Sequence, residues 1–94
     1  MTFESEEAQS LEKLRSEAQE ALDELFSQDL IPFKFTAHKI ETTSVAKEYL
    51  IRFFDSRMPH LFILWDTPYV SFKELVQQAV LRRGEVNEWK KFPK

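Results

Sequence analysis

The spacing of apolar residues changes twice along the chain, and this change constrains the fold more than any other feature of the sequence. From Ser5 to Gln28 the apolar residues follow the three-to-four spacing that is typical of an amphipathic helix. Residues 32–66 have strand-like spacing instead: the first part alternates between apolar and polar positions, and the later parts carry apolar residues on both sides. Helical spacing then returns over residues 71–83. The sequence therefore predicts the element order α-β-β-β-α.

Polar turns divide the middle of the chain into three strand segments. These segments cover residues 32–40, 45–54 and 60–66. Short connections favour an antiparallel meander, because each strand then pairs with the strand that follows it. With both helices on one face of the sheet, we expect a two-layer α+β fold. All 94 residues are expected to form a single domain.

Specific residues predict where the helices begin and end. Ser71 and Glu74 form a capping box, so the second helix is expected to begin at Ser71. Gly84 can adopt the left-handed conformation that ends many helices, and we expect the helix to stop there. Ser5 is the expected cap of the first helix, and Pro32 prevents that helix from continuing into the first strand.

The residue types that the chain lacks exclude several kinds of site. Gly84 is its one glycine, whereas a phosphate-binding loop needs at least two and a dinucleotide fingerprint needs three. The lack of cysteine excludes a disulfide scaffold, a thiolate metal site and a cysteine nucleophile, and it fits a reducing cytoplasm. His38 and His60 are too few for a histidine metal cage. We expect neither a metal nor a cofactor.

Charge is divided unevenly between the two ends of the chain. Residues 1–30 hold nine acidic and two basic residues and carry −7, whereas residues 31–94 carry +4. The acidic first helix argues against general binding to polyanions, so nucleic acid is not the expected partner. The longest apolar run, Leu61 to Trp65, is far shorter than the roughly 20 residues of a membrane helix. With no readable signal peptide, we expect a soluble cytoplasmic protein that does not contact membranes.

The second and third strands carry apolar residues on both faces, which two helices on one side cannot cover. The apolar residues left over are Leu50, Phe54, Phe62 and Leu64. An exposed apolar area of this kind usually marks an interface. We therefore expect a protein-interaction module that forms a homodimer through this face, or binds another protein with it. The alternative is that the long first helix or the C-terminal residues fold across it.

Three polar side chains on the same face form a candidate ligand site. Arg52 could hold a carboxylate or phosphate, His38 could act as an acid or base, and Asp66 would complete the group. These residues would suit a small anionic-ligand-binding protein or enzyme. The simpler interpretation is an ordinary surface set in which Arg52 pairs with Asp66, and we expect no catalysis.

The second hairpin loop contains Asp55, Ser56, Arg57 and His60, which are residue types used in nucleophilic catalysis. A short polar turn offers no cleft and no converging amides. The chemistry of turns accounts for Asp55 and Ser56, so we expect a structural loop.

The C-terminal tail, residues 85–94, is basic and aromatic. Its candidate contact residues are Trp89, Lys90, Lys91 and Phe92. They could dock an acidic partner, touch an anionic membrane surface or, together with Arg82 and Arg83, bind nucleic acid by stacking on its bases. The simpler expectation is that Trp89 packs on the core while the lysines stay in water.

Overall fold

A computed structural model of the chain describes residues 3–43, 47–67 and 69–87. Within these ranges the elements follow the predicted order. They are α1 (Phe3–Ser27), β1 (Ala37–Thr42), β2 (Glu48–Phe53), β3 (His60–Leu64) and α2 (Phe72–Asn87).

The three strands form one antiparallel sheet in the order β1-β2-β3, which confirms the predicted meander. β2 lies in the centre, and Ile51 pairs with Ile40 of β1 on one side and with Leu61 of β3 on the other. Both β1 and β3 are edge strands, so each has one side that no other strand of this sheet pairs with.

Both helices contribute to one hydrophobic core on a single face of the sheet. Among the α1 side chains that are described, residues 10–27, the fully buried ones lie between Ala18 and Leu25. α2 contributes Phe72, Val76 and Val80. This arrangement confirms the two-layer α+β fold. The core explains the helices energetically, since an amphipathic helix gains most of its stability from burying its apolar side.

Lys73 joins the two helices near the start of α2. Its Nζ lies 2.6 Å from Oε2 of Glu24 and 3.3 Å from Oε1 of Glu20, both on α1. The hydrogen bond from Lys73 lowers the pKa of Glu24, and the same bond raises the pKa of Lys73.

The start of α2 agrees with the sequence, but its end does not. The backbone amide of Glu74 donates to Oγ of Ser71 over 3.1 Å, so Ser71 caps the helix as predicted. The predicted stop at Gly84 is wrong, because α2 continues to Asn87 and Gly84 has no positive φ. Glycine inside a helix costs only about 1 kcal/mol relative to alanine. Arg83 also holds this turn in place by donating to the carbonyl of His60 over 3.2 Å.

The ends of α1 also differ from the expected ones. The helix already includes Phe3, so Ser5 lies inside it rather than capping it. At the other end, Asp29 has a φ of 62°, and the amide of Leu30 donates to the carbonyl of Leu25 over 3.0 Å. This is the hydrogen-bond pattern of a Schellman motif, with aspartate in the left-handed position that glycine usually occupies.

The predicted position of β1, residues 32–40, is the largest correction to the fold. The strand starts only at Ala37, because Ala37 lies opposite Phe53, the last residue of β2, and earlier residues would lie opposite the second hairpin loop. The side chain of Gln19 on α1 bonds instead to the backbone on both sides of Thr36. Gln19 donates from Nε2 to the carbonyl of Phe35 over 3.1 Å and accepts at Oε1 from the amide of Ala37 over 2.8 Å. A β-bulge then follows between Ala37 and Lys39, and it turns Ile40 into the core.

The other two strands are shorter than predicted. Residues 45–54 were expected to form the second strand and residues 60–66 the third, whereas β2 covers Glu48–Phe53 and β3 covers His60–Leu64. Pairing nevertheless extends past β3, since the amide of Trp65 donates to the carbonyl of Lys47 over 2.8 Å.

Candidate functional site

The face of the sheet turned away from the helices, here called the open face, carries the four apolar residues predicted as an interface. Phe54, Phe62 and Leu64 expose 70%, 55% and 53% of their surface, and Leu50 is half-buried. Leu50 lies directly opposite Phe62 in the β2–β3 register. Alternation along β2 and β3 produces this face, because every second side chain points away from the core.

Charged side chains surround these apolar residues and are largely paired with one another. Glu41 on β1 accepts from Nε of Arg52 over 3.1 Å and lies 3.1 Å from Nζ of Lys39. Hydrogen bonds from Lys39 and Arg52 hold the pKa of Glu41 below its usual range. Arg52 therefore pairs with Glu41 on the neighbouring strand, and not with Asp66 as the sequence suggested.

The structure does not bring His38, Arg52 and Asp66 together. His38 lies in the β-bulge, and its ring centroid is 4.2 Å from that of Phe54. Arg52 is opposite His60 at the start of β3, whereas Asp66 follows the end of β3. Six residues of extended chain separate His60 from Asp66, which is about 20 Å. Asp66 accepts instead from the hydroxyl of Thr67 over 3.2 Å.

The second hairpin loop has the expected turn structure. Asp55 accepts from the backbone amide of Arg57 over 2.8 Å and forms an ion pair with its guanidinium, which lowers the pKa of Asp55. The guanidinium carbon of Arg57 lies 3.5 Å from the ring centroid of Phe33. Asp55 is thus engaged with Arg57, and the ring of His60 packs against Phe62 at 5.5 Å.

A groove of about 260 Å³ between β3 and α2 was not predicted from the sequence. It is lined by Phe62, Ile63, Leu64, Leu75, Gln78, Ala79 and Arg82. Leu75 and Ala79 follow the apolar helical spacing of α2, but both are only half-buried. The signal that could have revealed the groove is the polar pair Gln78 and Arg82, which lies beside these apolar residues at helical spacing.

The predicted contacts of the tail lie outside the described residues. Trp89, Lys90, Lys91 and Phe92 belong to residues 88–94, so their roles stay predictions. Within the described ranges, no group of histidine and acidic side chains is arranged to hold a metal ion. No helix in the same ranges is long and apolar enough to cross a membrane.

Comparison with protein-family models, with curated proteins and with solved structures finds no match.

Proposed function

We propose that the chain is a protein-interaction module that forms a homodimer through the open face. One observation carries this proposal: Phe54, Phe62 and Leu64 each expose more than half of their surface on the same side of the sheet. Exposed apolar residues grouped in this way are unusual in a monomer and typical of an interface. Two sheets packed face to face would bury them between two helical layers.

The charges on the open face favour a second copy as the occupant. Lys39 and Arg52 contribute two positive charges, and Glu41 and Glu48 contribute two negative ones. Glu41 already pairs with both basic residues. With Asp66, which follows β3, the face holds three acidic and two basic residues around an apolar centre. This near balance suits an identical face related by a two-fold axis, since no large excess of either sign is brought together.

The proposed role involves binding without chemistry. It includes no catalytic step, no cofactor and no nucleic-acid partner, and the lack of cysteine suits a reducing compartment such as the cytoplasm. The alternative role, binding of a small anion by His38 and Arg52, has less support because the guanidinium of Arg52 is already bonded to Glu41.

Substitution of Phe54 by glutamate tests the proposal. Phe54 lies on the open face and does not line the groove between β3 and α2. Phe54→Glu places a charge within the proposed interface, so we expect it to halve the mass measured by light scattering behind a sizing column.

Leu30→Glu is the matched control, because Leu30 is also an exposed apolar residue, at 42%, but follows α1. We expect it to keep the wild-type mass across a hundredfold dilution. A Phe54→Glu variant with the wild-type mass would remove the open face as a self-interface, and a monomeric wild type would contradict the homodimer.

A further inference from the structure

The outer edge of β3 presents backbone groups that are free to pair. The amide of Trp65 donates to Lys47 over 2.8 Å and that of Phe53 donates to Pro59 over 3.0 Å, so odd-numbered residues here point their backbone groups towards β2. The even-numbered residues Phe62 and Leu64 therefore point theirs outwards. Within the described residues, no hydrogen bond reaches these groups, whereas the carbonyl of His60 accepts from Arg83.

The flank of α2 beside this edge is apolar enough to receive an added strand. Leu75 and Ala79 are half-buried and line the groove together with Ile63. A strand that pairs with β3 would lie along this groove, and its neighbouring helix would cover the two α2 residues. The edge thus combines free backbone groups with an apolar contact surface, which are the two requirements of strand addition.

The charges along α2 are arranged so that the helix complements a reversed copy of itself. Glu74, Gln78 and Arg82 follow one another at intervals of four residues, so they form a line along one side of the helix. Neither Glu74 nor Arg82 forms an ion pair within the described ranges. In an antiparallel pair of these helices, Glu74 of each helix would lie opposite Arg82 of the other.

The side chains along the open-face side of β3 are also arranged so that they complement a reversed copy of themselves. Along this side the order is His60, Phe62, Leu64 and Asp66, with Ile63 at the midpoint. α2 runs antiparallel to β3, because Arg83 bonds to His60 and the ring centroid of Phe72 lies 5.5 Å from that of Trp65. Gln78, midway between Glu74 and Arg82, and Ile63, midway between His60 and Asp66, are both in the lining of the groove.

We propose that a second copy of the chain binds at this edge, with β3 antiparallel to β3 around a two-fold axis at Ile63. In this register Phe62 lies opposite Leu64 of the second copy, and the two residues exchange both backbone hydrogen bonds. His60 lies opposite Asp66 of the second copy. One continuous sheet then runs through both copies, and the two α2 helices lie side by side.

The edge and the open face share the side chains of Phe62 and Leu64, but this interface is built on different groups from the one in the proposed function. Edge pairing uses the backbone of β3 and the flank of α2, whereas the open face uses side chains on the far side of the sheet. Both can be occupied at once, and the assembly closes at four chains when the two two-fold axes meet at right angles.

Ala79→Arg tests the edge from the α2 side of the groove, at a residue that is not on the open face. The arginine fills the groove with a long charged side chain, so we expect the mass in solution to be halved relative to wild type. Glu85→Arg, at an exposed position of α2 outside the groove, is the matched control and keeps the wild-type mass.

The two variants separate the two interfaces. A halved mass for Ala79→Arg supports the edge whatever Phe54→Glu does. An unchanged mass for Ala79→Arg overturns the edge, and the open face is then judged by Phe54→Glu alone.

A charge reversal tests the alignment of the helices. Arg82→Glu sets two glutamates against each other and is expected to raise the dissociation constant of the edge dimer about tenfold. Adding Glu74→Arg recreates the complementary pairs in reversed order and is expected to restore most of the affinity. A double variant that binds no more tightly than Arg82→Glu would overturn the proposed alignment.

Amide exchange in the wild-type protein tests the edge without any substitution. The amides of Phe62 and Leu64 are expected to exchange slowly at high concentration and at least about tenfold faster after dilution to free chains. The amide of Ile63, which points towards β2, is the internal control and should change little. Fast exchange of Phe62 and Leu64 at every concentration would overturn the proposal. Slow exchange at every dilution in a monomer would also overturn it, because the chain itself would then cover the edge.

Discussion

At the residue scale, the hydroxyl of Ser71 determines where α2 begins. The first amides of a helix have no partner within the helix, and Oγ of Ser71 accepts from one of them, that of Glu74, over 3.1 Å. The carbonyl of Ser71 also accepts from the amide of Leu75 over 3.1 Å, which closes the first turn. Ser71 therefore fixes the point at which the loop after β3 ends and the helix begins.

Ser71→Ala is expected to lower the free energy of unfolding by about 1 kcal/mol, because the amide of Glu74 loses its acceptor. Urea denaturation would measure the change. Ser71→Asp keeps an acceptor at the same position and is expected to retain most of the stability. Equal losses in the two variants would show that the cap contributes little.

Residue contacts were predictable where the partners are close in sequence. The Ser71 cap depends on residues within four positions, so its motif can be read directly. Gln19, by contrast, bonds to Phe35 and Ala37, which are 16 and 18 positions away. The pairing of Arg52 with Glu41 was missed for a similar reason, because it depends on the β1–β2 register, which the β-bulge shifts.

At the scale of elements, α2 shows that a glycine does not always end a helix. Gly84 lies inside α2 and has no positive φ, so its freedom to adopt left-handed conformations is not used. The backbone of Gly84 loses more entropy on folding than any other residue would at this position.

Gly84→Ala is expected to raise the free energy of unfolding by roughly 0.5–1 kcal/mol, since alanine is the better helix former. Thermal or urea denaturation would show the gain, and Glu85→Ala at the next, exposed position provides a control with little expected change. A loss of stability in Gly84→Ala would contradict the expectation that helix propensity decides the effect at this position.

Element types were predictable, whereas some of their boundaries were not. Strict alternation predicted that Phe33 and Phe35 belong to the first strand. They are buried as expected, but in a segment before β1, where the carbonyl of Phe35 accepts from Gln19 on α1. Alternation also cannot predict the extra residue of a β-bulge, which changes the face to which Ile40 points.

At the scale of the whole molecule, Lys73 makes the packing of the two helices depend on pH. The lowered pKa of Glu24 adds stability above the ordinary carboxyl pKa, and this contribution is lost as the pH falls through the folded value. The raised pKa of Lys73 adds stability below the ordinary lysine pKa, and this contribution is lost as the pH rises through the folded value. The contact therefore stabilises the fold between about pH 5 and pH 10.

Lys73→Met is expected to lower stability modestly in this window and to weaken its decline towards both acid and alkali. Urea denaturation at several pH values would measure this. Lys34→Met, at an exposed lysine without an ion pair in the described ranges, is the control. An identical pH profile for Lys73→Met and the wild type would contradict the role of the contact.

The architecture was predictable because short turns hold consecutive strands side by side, where they pair with each other. The groove was not, because it depends on how far α2 lies from the edge of β3. Spacing along one helix identifies which residues share a side, but not which part of that side a neighbouring strand leaves open. The apolar residues of the open face were predictable, since alternation within β2 and β3 assigns each residue to a face.

The edge of β3 also bears on aggregation. Leu61–Trp65 contains no charge, no proline and no glycine, and such segments stack readily into cross-β fibrils when they are exposed. The flanking residues His60 and Asp66 are the nearest polar groups along the strand. A chain that leaves this edge unpaired therefore carries a template for fibril growth. Any strand that pairs with the edge would block this template and so protect the chain from misassembly.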